Sequence, residues 1–500
     1  TELKAAYGIL DINGFIDQDS NLTPGQFQSA NPIQFNHSLP SDKSQSVSIA
    51  IDQNSASSQF LESQNRTLLE TSKALGLPPG SGKLRSITEL QQRLSLASKL
   101  APSLDLSAIP KLSLAANQSQ PKSINTNPLP YTPAIVHLQR NDEASGQTRI
   151  TAILLTAQGE PISRSTKVAR TDLDGWIKRF QRQLSRRSSL PDPTRDPGEP
   201  LANALISPLL PLLRAQGVTA LLLEVDRGLQ AVPYGALPVE GRPLGDLFAL
   251  TITPSLGLIE LDPGTQAPRG QLLLAGASQF SNGLAPLPMV RQELRALAQE
   301  HPSRLLLDDS FTPTALIDQA LGSQVSQLHI ATHANFLPGQ TGVLYTPTTT
   351  LSLADLGRRL RSRNSSYPLD LISMSGCLTA LGDEQSELGF VGMALQAGAR
   401  SGLGTLWEVD DTATAAFFIE LYRFLKVGLP KDQALQATQQ AFLRGQVRLQ
   451  GDRLVGPDPR TGQAQSTLVA GLSREEQILF AQGLNHPYYW AGMILTGSPW

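Results

Sequence analysis

From Pro133 to the end of the chain, apolar runs of strand length alternate with stretches whose apolar residues recur at helical spacing. That alternation is the pattern of an α/β fold built around a largely parallel sheet. The runs predict strands over 134–138, 149–156, 219–225, 271–275, 304–307, 327–332, 369–374 and 401–406. Leu173, Trp176, Ile177, Phe180 and Leu184 fall at i, i+3, i+4, i+7 and i+11, and residues 412–426 repeat the pattern with Phe417, Phe418, Leu421 and Leu425 before Gly428. Both stretches predict helices that face a core. The Pro-rich stretch 188–200 and the polar run 445–467 interrupt this order and predict surface loops.

The first 127 residues are patterned differently. They are rich in Ser, Asn, Gln and Pro and poor in aromatics, a composition that buries little surface by itself. Two helices are predicted within them, over 58–75 and 86–100; the second opens with Ser86 and Glu89 at capping-box spacing, ahead of Leu90, Leu94 and Ala97. The stretch 104–131 loses all periodicity and reads as a linker. This leader is compatible with either an exported or a cytoplasmic protein.

Composition narrows the function. The 500 residues carry 41 Lys and Arg against 43 Asp and Glu, and only 17% are charged, so the basic footprint of a nucleic-acid binder is missing. The longest apolar runs are strand-sized and fall short of the ~18 to 20 residues of a membrane helix. One cysteine, Cys377, rules out an internal disulfide and any multi-cysteine metal site.

That thiol is well placed for chemistry. The strand QLHIAT ends in His333, and the strand LDLISM ends, after Ser375 and Gly376, in Cys377. Carboxyl ends of parallel strands share one rim of an α/β sheet, where such folds hold ligands. The 44 residues from His333 to Cys377 leave room for a crossover helix over 353–362. An imidazole beside a thiol promotes its ionisation and protonates a departing amine, and the backbone N–H groups of Cys377 and Ala334 are placed to receive an oxyanion. The plainer alternative is an inert core cysteine. His329, inside its strand, reads as a satisfied interior residue, and His329 with His333 makes a poor zinc pair because residues four apart in a strand are ~13 Å apart. His486, before Pro487, reads as packing. The segment 76–84 misses the phosphate-loop spacing, residues 17–28 miss the glycine and glutamate of a calcium loop, and no serine-hydrolase elbow is present. No metal or other cofactor is called for.

The pieces HIATHANF, DLISMSGCLTALGDEQSELGFVGMALQAGARS, GTLWEVDDTAT and NHPYYWAGMILTG, with LLLEVDRGLQAVPYGAL and PLPMVRQEL upstream, resemble the CHAT-domain proteins, caspase-like cysteine peptidases related to separases, in their cyanobacterial form. The resemblance implies a caspase-like, largely parallel sheet flanked by helices, preceded by a buttressing α/β half and a polar N-terminal segment. It divides the chain into an adaptor at 1–127, the N-terminal half of the domain at 128–268 and a catalytic half at 269–500. It makes His333 the general acid and base and Cys377 the nucleophile, acting on a protein or peptide substrate, with a regulatory protein partner. Two departures stand out: Ala334 replaces the usual Gly, and Gly376 stands where the family often has Ala before the nucleophile; in addition, Ser375 stands where metacaspase-like relatives carry an acid. In caspase-like folds the segments after the nucleophile and after the next strand shape the substrate pocket. Here they carry Asp383 and Glu384, then Trp407, Glu408, Asp410 and Asp411, acids that would favour a basic residue before the scissile bond. Helix capping competes for Asp410 and Asp411. The expected function is a cysteine endopeptidase, possible autoprocessing sites being 181–189 and 445–467; the alternative is a weakly active or inactive scaffold that binds proteins, favoured by Ala334.

Overall fold

The computed structural model describes residues 34–35, 47–50, 56–78, 80–100, 130–187, 196–263, 270–322, 324–335, 342–363, 367–378, 389–469, 472, 474–481 and 483–500. The calcium-loop lookalike, the linker as far as residue 129, the loop at 188–195 and the pocket candidates Asp383 and Glu384 lie outside them.

One sheet of 15 strands runs through the described residues. In chain order its main path comprises β1 Gln34–Phe35, β2 Val47–Ala50, β3 Pro133–Asp142, β4 Gln147–Leu155, β5 Ile162–Ala169, β6 Ala220–Val225, β7 Ala249–Thr253, β8 Gln271–Gly276, β9 Ser303–Leu307, β10 Val325–Asn335, β11 Leu371–Leu378, β12 Ser401–Thr405 and β13 Met493–Gly497. Across the sheet the order is β1-β2-β5-β4-β3-β6-β7-β13-β12-β11-β10-β8-β9. Pairing is parallel from β9 through β8, β10 and β11 to β12, then antiparallel to β13. A second parallel block, β7, β6 and β3, joins through the single register pair Thr496↔Ile252, and β4, β5, β2 and β1 continue it antiparallel. A short hairpin, Val343–Tyr345 and Thr350–Ser352, adds to the end of β10.

Strand alternation sorts the core into two layers. On one face Leu273, Ala275, Leu328, Ile330, Ile372 and Met374 pack with Leu316, Leu356, Leu360 and Met393. On the other, Leu272, Leu274, Ala331, Leu371 and Leu403 meet Val290, Leu294 and Leu297 of helix α5 (Pro288–Glu300) and Phe417, Phe418 and Leu421 of helix α9 (Asp411–Lys426). Among the described residues the α-helices of eight residues or more that precede α5 are α1 Ala56–Ala74, α2 Ile87–Ala97, α3 Arg170–Leu184 and α4 Gly198–Leu205; α6 Pro313–Ala320, α7 Leu353–Arg361 and α8 Gly389–Gln396 lie between α5 and α9, and α10 Lys431–Leu443 and α11 Arg474–Ala481 follow. Ser86 caps α2 by accepting from the Glu89 N–H at 3.1 Å, as its spacing predicts. Helix α1 presents Ser63, Gln64, Thr67 and Thr71 inward alongside Phe60 and Leu68, so it docks largely through polar contacts. At its centre lies His137 on β3, 2.8 Å from Glu224 on β6 and 2.8 Å from Ser63, while Arg66 pairs with Asp226 at 2.6 Å.

The polar run at 445–467 is not the loop its composition predicts. It forms a three-stranded antiparallel sheet, Arg448–Gln450, Arg453–Pro457 and Ala464–Leu468. Gly451 (φ 61°) and Asp452 make the two-residue turn of its first hairpin. Asp458 accepts from the N–H groups of Arg460 and Thr461 at 2.9 and 2.8 Å to make its second turn. Leu449, Leu454 and Val455 are buried, and Arg423 of α9 reaches Thr467, so tertiary contact turns a polar stretch into a strand layer. Strands β5, β7 and β13 also lie beyond the predicted set. β5 is polar because it pairs as a partly exposed strand, and β7 and β13 are short and become strands where the two parallel blocks meet. The loop expected to run to residue 200 ends earlier, since α4 begins at Gly198.

Candidate active site

His333 stands near the carboxyl end of β10 and Cys377 near that of the adjacent parallel strand β11, with Ala334 and Cys377 in direct register. The ladder slips between Ala331 and Ala334, so β10 spends three residues where β11 spends two, and His333 lies inside that irregularity. Among the described residues, left-handed backbone outside glycine is confined to Glu240 and Asp308. Ala334 therefore carries no strain from lacking the family's glycine.

The imidazole of His333 is held from one side. Its Nε2 lies 2.8 Å from the carbonyl oxygen of Ala285, and the Phe280 ring sits against it with centroids 4.8 Å apart. A carbonyl only accepts, so Nε2 carries a proton and Nδ1 is the nitrogen with a lone pair when the ring is neutral. Both contacts come from the segment between β8 and α5, which is pinned at several points. The carboxylate of Asp308 accepts from the Ser278 N–H and hydroxyl at 2.7 and 2.8 Å and pairs with Arg291 of α5 at 2.5 Å. Ser281 donates through its N–H to the Pro347 carbonyl at 2.8 Å, and Leu287 N–H to Ser278 at 3.0 Å. Burial alone would raise the Asp308 carboxyl, but the Ser278 and Arg291 donors hold it below its ordinary value. Asp308 follows β9 directly at φ 52°, a strained conformation at the rim that carries the site.

The segment after β12 holds the other predicted residues. Trp407 is buried, donates from Nε1 to the Tyr488 carbonyl at 3.0 Å and packs against Gly492, where a Cβ would meet its ring. Glu408 is exposed. Asp410 is the N-cap of α9, accepting from Thr412 and Ala413 N–H at 3.0 and 3.2 Å. Asp411 reaches across to α5 and accepts from the Met289 N–H at 2.8 Å, helping to fix the start of that helix. Burial pushes the Asp411 carboxyl up to about 7 against the pull of that N–H, with Glu293, Asp410 and Glu476 adding repulsion.

Residues 195–498 match the CHAT domain when compared with known protein families. The chain belongs to the CHAT-domain family. Two crystal structures of the Saccharomyces cerevisiae separase–securin complex are similar to it, each at 10% identity. One has a TM-score of 0.41 and the match covers 74% of this chain and 30% of that one. The other has a TM-score of 0.40 and covers 81% of this chain and 31% of that one, so this chain spans less than a third of those chains' length. No curated protein matches. Among the described residues no helix is long and apolar enough to cross a membrane.

Within this CHAT domain, sequence reasoning did not single out Ala285, Phe280 or Asp308. A backbone carbonyl carries no sequence signal. Asp308 had one, an acid directly after the apolar run RLLL at a strand's carboxyl end, the position from which a parallel sheet reaches its ligands.

Proposed function

We propose that this CHAT-domain chain is a cysteine endopeptidase working through His333 and Cys377. With Nε2 committed to Ala285, Nδ1 takes the thiol proton as the Cys377 sulfur attacks the peptide carbonyl, and the oxyanion is met by the N–H groups of Cys377 and Ala334. The imidazolium returns that proton to the amine as the C–N bond breaks, leaving a thioester. Water, losing a proton to His333, then attacks the thioester, releasing the acid and restoring the thiol. The observation carrying this reading is the 2.8 Å contact of His333 Nε2 with the Ala285 carbonyl oxygen, beside the Ala334–Cys377 register.

Residues 269–500 supply the catalytic half in this proposal, 128–268 the buttress and 1–127 an adaptor that a regulatory protein would grip. The preference for Arg or Lys before the scissile bond rests on Glu408 together with Asp383 and Glu384, because Asp410 and Asp411 spend their carboxylates on backbone amides. The test is peptide-library cleavage with the P1 residue varied, run on wild type, Cys377→Ala and His333→Ala. Cleavage lost in both variants with a basic P1 supports the dyad and the pocket; another P1 keeps the enzyme and discards the pocket. No cleavage by wild type, even after limited proteolysis, moves the assignment to the protein-binding scaffold.

A further inference from the structure

Beneath the dyad, a chain of polar side chains crosses an otherwise apolar layer. Tyr422 of α9 lies 2.8 Å from the Ser373 hydroxyl, which lies 2.8 Å from His329 Nδ1. His329 Nε2 is 2.9 Å from one carboxylate oxygen of Glu293 on α5, and the Ser375 hydroxyl donates to the other at 2.9 Å. All five side chains are buried, and Phe418 stacks edge-on against His329 with centroids 4.9 Å apart. The direction of the bonds follows from chemistry. A carboxylate only accepts, so His329 donates to it from Nε2 and Ser375 from its hydroxyl, and two donors from the two strands converge on Glu293.

A fully buried carboxylate with two donors is costly, and apolar side chains would stabilise the same layer at least as well. What the carboxylate does is geometric. It bridges His329 on β10 and Ser375 on β11, four and two residues before His333 and Cys377, just ahead of the point where the ladder between those strands slips. Backbone pairing is regular through His329↔Ser373 and Ala331↔Ser375, breaks between Ala331 and Ala334 and resumes at Ala334↔Cys377, so the Glu293 bridge ties the two strands at the last regular pairs before the break. The segment bearing Ala285 leads directly into α5, so the contact to the His333 ring and the carboxylate between the strands lie on one continuous stretch, residues 285–293.

We infer that Glu293 is a positioning residue for the dyad, acting through His329 and Ser375 and touching no substrate. This rests on the peptidase reading above, so the experiment separates the two. Glu293→Gln, which keeps the side-chain size and loses the charge, and Ser375→Ala, which removes one donor, are compared with wild type for thermal unfolding, kcat and KM on a peptide substrate, and the pH dependence of iodoacetamide alkylation at Cys377, the sole thiol. The expected result is folded variants with kcat down by about tenfold for Glu293→Gln and about threefold for Ser375→Ala, KM within about twofold, and slower alkylation. Folded variants with wild-type kcat and alkylation overturn the inference. Should Glu293→Gln not fold, Ser375→Ala decides alone by the same criteria. A wild type that cleaves nothing sinks the peptidase reading; alkylation then carries the test, slowed rates supporting the bridge and unchanged rates overturning it.

Discussion

Replacing Asp308 tests whether the pinned segment before α5 is what holds the His333 ring. Its carboxylate receives two donors from Ser278, each a charge-assisted bond of about 1.5 kcal/mol. The Arg291 pair adds less than about 1 kcal/mol because Arg291 is nearly half exposed. Asp308→Ala is therefore expected to cost about 3 kcal/mol, plus about 1 kcal/mol for placing alanine at a φ of 52°. Asp308→Gly loses the same bonds but escapes the strain, and Asp308→Asn keeps both the conformation and part of the bonding. The stability order is then wild type, Asn, Gly, Ala, measured by urea unfolding. Limited proteolysis or hydrogen exchange over 277–287 localises the loss, and kcat for peptide cleavage falls in the same order as the segment carrying Phe280 and Ala285 loosens. The pH dependence has a definite sign: the folded carboxyl is depressed, so its contribution is present above the unfolded value of 3.8 and is lost as pH falls through the lower folded value. Equal stability of the Ala and Gly variants refutes the strain argument; an Ala variant as stable and as active as wild type refutes the whole of it.

Three further outcomes are expected. Burial works against the charge of His137, yet Glu224 and Asp226 raise it to about 9, so its contribution, on the order of a few kcal/mol, is complete below 6.5 and fades as pH rises through 9; the unfolding midpoint of wild type should fall over that window and that of His137→Gln should not. The two atoms of the His137–Glu224 contact are 2.8 Å apart but poorly aligned as a hydrogen bond, so charge pairing is the quantity titrated. Gly456→Ala should destabilise by at least about 2 kcal/mol in thermal unfolding, because the new Cβ would lie 2.0 Å from the buried Glu420 carboxylate that Gly456 lets approach. Phe280→Ala should leave the unfolding midpoint within a few degrees of wild type while lowering kcat several-fold, since the ring bears on His333 from a half-buried position; unchanged kcat would show that Ala285 alone orients the imidazole.

Much of the frame was legible along the chain because it is local. The strand-length apolar runs in QLLLAG and QLHIAT, the helical period through Phe417, Phe418 and Leu421, and the Ser86 cap depend on residues within a few positions of one another, and each of those elements forms where its pattern places it. His329 was recognisable as an interior residue from its place inside a strand, and it is fully buried. Local pattern failed where pairing makes the strand. The 445–467 run is polar enough to be a loop and becomes a sheet because Gly451 and Asp452 turn it and α9 receives it. Asp410 and Asp411 are adjacent acids in sequence, yet one caps its own helix and the other reaches Met289, 122 residues away. Likewise the sequence by itself singled out His333 and the single thiol as the proposed dyad and placed each near the end of a strand, and those two strands are adjacent and parallel. Only the tertiary structure decided that the Ala285 carbonyl, 48 residues from His333, sets its tautomer, and that Glu293, 82 residues from Ser375, ties the two strands together. Residue type and local period are written in neighbouring positions; such partners are chosen by how helices pack on the sheet, which no short stretch of chain encodes.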